Sequence, residues 1–330
     1  MNEGRKYERM RTSKLGAPMG ELKCANDLLD DREALAAAWE RDGYWFFRDV
    51  LDKEVIGRIR QTYTDYLLEM GVARMEGPSP RYNGADVSGL HLHTALTRLN
   101  DAKVHKILHE APTINAFFAK LFGCDPFWIP FTMHRTNPPV SDRSTSRFDL
   151  IHEDGVYNDG LPFLICWVPV DDIDEDTGGV ALLEGVHKGP CLHRREGTNI
   201  LPIDEQDVPS GQWRRTDYKP GDVLMMGLHT PHSGLSNISA DRFRMSLDTR
   251  IMPSTGKVPL VGTLTEVTKT GLKVEDANGV HELAFDSTSF VRGHQGDRMP
   301  LHEIPDRYKP GKEVIIAFED RRVVNMRPQN

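Results

Sequence analysis

Two histidines and an aspartate near the middle of the chain have the types and spacing to hold a metal ion. In IHEDG, His152 and Asp154 stand two residues apart. On an extended strand, residues i and i+2 share a face. One imidazole and one carboxylate can then meet one ion while Glu153 turns away. Farther on, GDVLMMGLHTPHSGLSN supplies His229 and His232 as sources of a second imidazole. Two histidines with one carboxylate leave coordination positions open, the arrangement of non-heme iron(II) oxygenases. Those open positions matter because 2-oxoglutarate and O₂ must both reach the iron. A bare HxD also fits a histidine capping a turn, with Asp154 in a β-turn before Gly155. The downstream context weighs against that reading.

A 2-oxoglutarate enzyme needs a cation for the distal carboxylate of its co-substrate. Arginine serves best, because its planar fork takes a carboxylate with two parallel hydrogen bonds. In FRMSLDTR, Arg244 and Ser246 are two apart and face the same side of a predicted strand. Either could reach a carboxylate in a barrel mouth. The plainer alternative is an arginine facing solvent from an edge strand.

The elements that must position these residues fall into two textures. Residues 1–27 lack periodicity and read as a flexible arm. Asp30 or Asp31 caps a predicted helix through EALAAAWERDG to Gly43, and YWFFRDVL follows as a short strand. Asp52 caps KEVIGRIRQTYTDYLLEMG, whose apolar residues recur at helical spacing until Gly71. Residues 72–100 are irregular and polar, a stretch long enough to serve as a lid. Residues 101–123 read as helix. From residue 127 short apolar runs alternate with Gly, Pro and Asp turns: FWIPFTMHR, SRFDLIHEDG, LPFLICWVPVDD, GGVALLEGVH, GDVLMMGLH and FRMSLDTRI. That rhythm predicts a β-sandwich or barrel, with the earlier helices against one face. Residues 258–292 alternate with period two around Thr-Gly and Asn-Gly turns, predicting a small β insertion or module outside the barrel. It would serve as an entrance wall or a dimer contact, or be a tolerated insertion. Residues 293–330 are mixed, with a strand at EVIIAF, and are expected to pack on the core.

Composition bounds the function. The 330 residues suit one large domain with an insertion or two modest ones. A formal charge of −8 argues against non-specific nucleic-acid binding, which needs clustered positive charge. Cys24, Cys124, Cys166 and Cys191 are far apart with no CxxC pair, which favours a reducing compartment. There is no apolar run of membrane-spanning length and no apolar signal core, so the expected location is cytoplasmic. The expected partner is a small-molecule substrate, with neither nucleic acid nor membrane, and room for a homodimer.

Over roughly residues 32–252 the sequence resembles the phytanoyl-CoA dioxygenase family of iron(II)/2-oxoglutarate oxygenases. The resemblance runs through WERDGYWFFRDVLDKEVIGRIR, the HxD, CWVPVDDIDEDTGGVALLEGVHK and GDVLMMGLHTPHSGLSNISADRFRMS, in that order. It implies a double-stranded β-helix core of the jelly-roll, cupin-like type over residues 28–257, mainly β with flanking helices. It implies iron(II), 2-oxoglutarate and O₂, with ascorbate as the expected stimulant in vitro. The family's distal histidine lies about eleven residues after the Gly-Asp glycine and shortly before an asparagine. His232 is eleven after Gly221 and five before Asn237, which selects His232 over His229 and completes the ligand set His152, Asp154 and His232. The family's arginine usually follows by eleven; here Arg242 follows by ten and Arg244 by twelve. Arg-x-Ser and the strand-like residues after it favour Arg244, with Ser246. Trp167 matches a family tryptophan near the co-substrate, and is equally a core aromatic. His134 or Arg135, on FTMHRTN, would face the same cavity. Tyr157, His91 and His93 are candidates on the substrate side. Relatives that halogenate carry Gly or Ala where this chain has Asp154, so the resemblance implies oxygen transfer, most simply hydroxylation. The rival is a non-oxygenase metalloenzyme or metal-binding protein on the same cupin-like scaffold, and Arg244 with Ser246 argues against it, since a cupin isomerase needs no 2-oxoglutarate anchor.

Overall fold

The computed structural model describes residues 19–87, 97–140, 149–158, 160–196, 199–209, 211–293 and 297–329. Two facing sheets form the catalytic half. The larger has the order Tyr44–Phe47, Val223–Met226, Leu164–Pro169, Arg244–Pro253, Pro126–Asn137, antiparallel throughout. The smaller has the order Gly20–Glu21, Trp213–Arg215, Gly179–Leu183, His232–Leu235. The chain crosses to the smaller sheet after Leu164–Pro169 and alternates between the two sheets strand by strand from Trp213–Arg215 to Arg244–Pro253, which is the winding of a jelly roll. Residues 19–27 belong to this structure and are no arm. Met19, Leu22 and Ala25 are buried, and Gly20–Glu21 pairs in parallel with Trp213–Arg215. The arm expected over residues 1–18 lies outside the described residues.

Period-two alternation divides the larger sheet into two faces. Met245, Leu247 and Ile251 join the helical core with Ile56, Ile59, Tyr63 and Phe118. Arg244, Ser246, Asp248 and Arg250, on the intervening positions, line the cavity between the sheets. Helix Arg32–Asp42 is capped by the Asp31 carboxylate and ends on Gly43 at φ 81°. Helix Lys53–Glu69 is capped by Asp52, whose Oδ1 accepts from the amides of Glu54 and Val55. The single helix expected over 101–123 is broken into Thr97–Asp101, Lys106–His109 and Pro112–Phe122. Pro112 can only begin a helix, because it has no amide proton and its ring would clash with the preceding turn.

The stretch 258–292 does not stand alone. Leu260–Val267, Gly271–Asp276 and Gly279–Ala284 share a six-stranded sheet with Glu313–Glu319, Arg322–Pro328 and Phe290–Val291. Ala284 pairs with Arg322, so five of the strands close on themselves. The reason is burial. Leu264, Leu272, Val274 and Leu283 form an apolar face that is buried in one core with Val314, Ile316, Val323 and Met326. The unit is therefore 260–328, and the division at 292/293 has no structural counterpart. A second small core, joining Ile315 and Ala317 to Ile129, Leu161, Phe163 and Met252, seats it on the catalytic half.

Candidate active site

A cavity of about 690 Å³ opens between the sheets and contains the predicted metal-binding residues. His152 is held by a single antiparallel bridge to His232, each residue's amide donating to the other's carbonyl at 3.0 and 2.9 Å. The predicted HxD strand is thus one bridge long, because Asp154 already begins a 3₁₀ turn, Asp154–Tyr157. The side chains still converge. Donor atoms of His152, Asp154 and His232 lie within 4.8 Å of one another, and the two imidazole centroids are 4.3 Å apart.

The polar contacts around this cluster leave one donor free on each ligand. His152 Nδ1 lies 3.1 Å from the Leu150 carbonyl, and His232 Nδ1 lies 3.0 Å from the Thr230 carbonyl. A carbonyl only accepts, so each Nδ1 carries the proton and each Nε2 presents its lone pair. Burial pushes His232 down to about 4, which keeps it neutral and able to ligate. Burial would raise Asp154, but Arg250 and the two imidazoles outweigh it and hold the carboxyl well below its ordinary range. Arg250 Nη2 donates to Asp154 Oδ2 at 3.0 Å, while Oδ1 lies 3.4 Å from His152 Nε2. Arg250 also binds Asp248 Oδ1 at 2.5 Å. This donor set, two imidazoles and one ionised carboxylate, suits iron(II).

His229 is not among the residues that line the cavity; its side chain is 62% exposed, with its Nδ1 3.6 Å from Glu153 Oε2. Glu153 faces away, accepting from the Leu192 amide. Arg244 is buried in the cavity wall. Its Nη1 donates to the carbonyl of Gly179 at 3.0 Å, and its Nε has no partner. Gly179, at φ 94°, adopts a conformation that favours glycine, and so offers that carbonyl. Ser246 is fully buried and its Oγ is also unpartnered. Two orphaned buried donors on one strand face are what the distal carboxylate of 2-oxoglutarate needs. Arg242 points elsewhere, into Asp174 at 2.8 Å. Arg135 reaches the cavity. His134 does not; it turns to the helical core, its Nδ1 2.6 Å from the Tyr63 hydroxyl. Trp167 lines the cavity and packs edge-on against Tyr218 at 4.7 Å. Tyr157 lines it too; His91 and His93 lie outside the described residues.

Three cavity arginines escaped the sequence reading: Arg250, Arg292 and Arg327. Arg250 could have been found, since it continues the Arg244, Ser246, Asp248 alternation. No sequence signal marks the other two, which come from the C-terminal unit.

A model of the phytanoyl-CoA dioxygenase family matches residues 39–246. The chain belongs to this family. It is an iron(II)- and 2-oxoglutarate-dependent oxygenase of the hydroxylase type, and its His–Asp–His cluster is consistent with iron binding. It is 31% identical over 245 residues to the 1-deoxypentalenic acid 11-beta-hydroxylase of Streptomyces arenae, covering 69% of this chain and 83% of that protein. The enzyme of the same name from Streptomyces exfoliatus is 28% identical over 239 residues, with the same shares covered. Among solved structures, the epimerase SnoN from nogalamycin biosynthesis is 21% identical, covering 68% of this chain and 84% of that one, with a TM-score of 0.47.

Proposed function

We propose that this oxygenase hydroxylates a small organic molecule at an unactivated C–H bond, with iron(II) on His152, Asp154 and His232 and 2-oxoglutarate anchored by Arg244 and Ser246. The observation that carries the assignment is the convergence of three metal-competent donors in the cavity that also holds the two orphaned donors. When bound, iron(II) with 2-oxoglutarate and O₂ supplies the oxidising power, 2-oxoglutarate leaving as succinate and CO₂. The chain's own part is positioning and exclusion of water. Arg250 turns one oxygen of Asp154 toward the imidazoles by holding the other. The carbonyls of Leu150 and Thr230 orient the two rings. Arg244 would accept the distal carboxylate with Ser246, leaving the keto-acid end to face the cluster. Trp167, Val180 and Met226 close the wall with apolar surface.

The test is metal titration of purified protein. One iron(II) per chain is expected, with binding lost in His152→Ala and in His232→Ala and kept in His229→Ala. Loss in His229→Ala with retention in His232→Ala would reverse the register.

A further inference from the structure

Beyond the two anion-binding groups just described, the far end of the cavity is basic and comes from a part of the chain that the family match, ending at residue 246, does not reach. Val291 pairs with Met326 on neighbouring parallel strands, so Arg292 and Arg327 follow side by side. Like charges directly opposite one another on a sheet destabilise it. Yet both arginines are directed into the cavity, and Arg327 is 4% exposed. Arg292 Nη1 donates to the Tyr157 carbonyl at 3.0 Å. Arg327 Nη1 donates to Asn158 Oδ1 at 2.5 Å, and its guanidinium lies 3.4 Å from the centre of the Phe131 ring. Among the described residues no carboxylate forms an ion pair with either, and none takes up the Nη2 of either.

Charge sharpens the point. Arg250 is already committed to Asp154 and Asp248. The described cavity lining holds five arginines and three aspartates, an excess of two positive charges. Iron(II) and dianionic 2-oxoglutarate cancel each other and leave that excess in place. Position separates the two basic ends. Arg244 and Ser246 stand at the start of strand Arg244–Pro253, whereas Arg292 and Arg327 come from the C-terminal unit, and Arg327 shares the Phe131 ring with Arg250, farther along that strand. Burial and the neighbouring Arg292 and Arg250 push the Arg327 guanidinium below its usual range, against a smaller pull from Asp154, the direction expected of a buried cation without an ion-pair partner.

We propose that Arg292 and Arg327 form a carboxylate subsite for the primary substrate, so that this enzyme acts on an organic acid with an apolar frame. The free Nη2 of each arginine offers a two-point match for two carboxylate oxygens. Phe131, Met133 and Ile165 line the same cavity and suit an apolar frame. This inference rests on reading His152, Asp154 and His232 as the iron centre.

The experiment uses the full chain with iron(II) and 2-oxoglutarate under anaerobic conditions, reading the visible charge-transfer band of that complex. The probes are polycyclic and medium-chain monocarboxylic acids, each paired with its methyl ester and with the phosphate monoester of the matching alcohol. At least one acid is expected to perturb the band with an affinity tenfold or more above its ester. Arg292→Gln/Arg327→Gln should erase that preference, and Arg292→Lys/Arg327→Lys should restore part of it. Acids and esters perturbing alike in the wild-type protein, or phosphate esters alone doing so, overturns the carboxylate subsite. So does an acid preference that survives the double glutamine variant. No charge-transfer band in the wild-type protein overturns the iron centre and the subsite together.

Discussion

Asp154 divides its two oxygens between different tasks. Oδ2 is held by Arg250, and Oδ1 faces the imidazoles. On the proposed iron centre, a carboxylate fixed this way would occupy one coordination position and offset part of the metal's charge, which disfavours a second anion on the ion. Oxygen transfer should therefore win over halide transfer. Turnover in excess chloride, followed by mass spectrometry, is expected to give a hydroxylated main product; a chlorinated one from the wild-type protein would sink the argument. A second prediction concerns the arginine that the sequence left open between two positions. Arg242 is spent on Asp174, whereas Arg244 ends in the cavity with an orphaned Nε. Arg244→Ala should raise the half-saturating 2-oxoglutarate concentration by about 2–4 kcal/mol, roughly thirty- to a thousand-fold. Arg242→Ala should move it little. Equal shifts in the two variants would remove the case for Arg244.

At the scale of elements, local signals were readable and closures were not. Asp31 and Asp52 cap the helices at the residues their chemistry favours, and the Arg244–Ser246 phase follows from strand alternation alone. Asp52 also bridges elements, since its Oδ2 accepts from the Thr113 hydroxyl at 2.8 Å, tying helix Lys53–Glu69 to helix Pro112–Phe122. Asp52→Ala should lower stability by about 1–2 kcal/mol. Denaturant titration checks this, and an unchanged midpoint would mean the cap is idle in the folded protein. The sequence could not tell His134 from Arg135, because strand phase is lost where the sheet register slips opposite Asp248–Arg250. Nor could it join Gly271–Ala284 to Glu313–Pro328. Strands that pair across a gap carry no local mark of one another. Arg292 and Arg327 were invisible for the same reason: their role depends on that pairing and on the seat against Phe131 and Asn158.

At the scale of the molecule, an acidic chain of net charge −8 encloses a basic cavity. The site is completed by two units whose contact is itself a core. Ile315 is fully buried among Ile129, Leu161, Phe163 and Met252, so the C-terminal sheet stabilises the catalytic half and not only its own fold. The two should then unfold as one. All five tryptophans, Trp39, Trp45, Trp128, Trp167 and Trp213, lie in the catalytic half. Tryptophan fluorescence therefore reports that half alone, while far-ultraviolet circular dichroism reports both. Coincident denaturation curves are expected from the two probes. Ile315→Ala should shift both together, because deleting a buried aliphatic side chain costs about 2–5 kcal/mol and leaves a cavity at the seam. A fluorescence transition that stays in place while the dichroism curve splits would mean the C-terminal unit melts independently. Arg292 and Arg327 would then be held over the cavity by a part that can leave it.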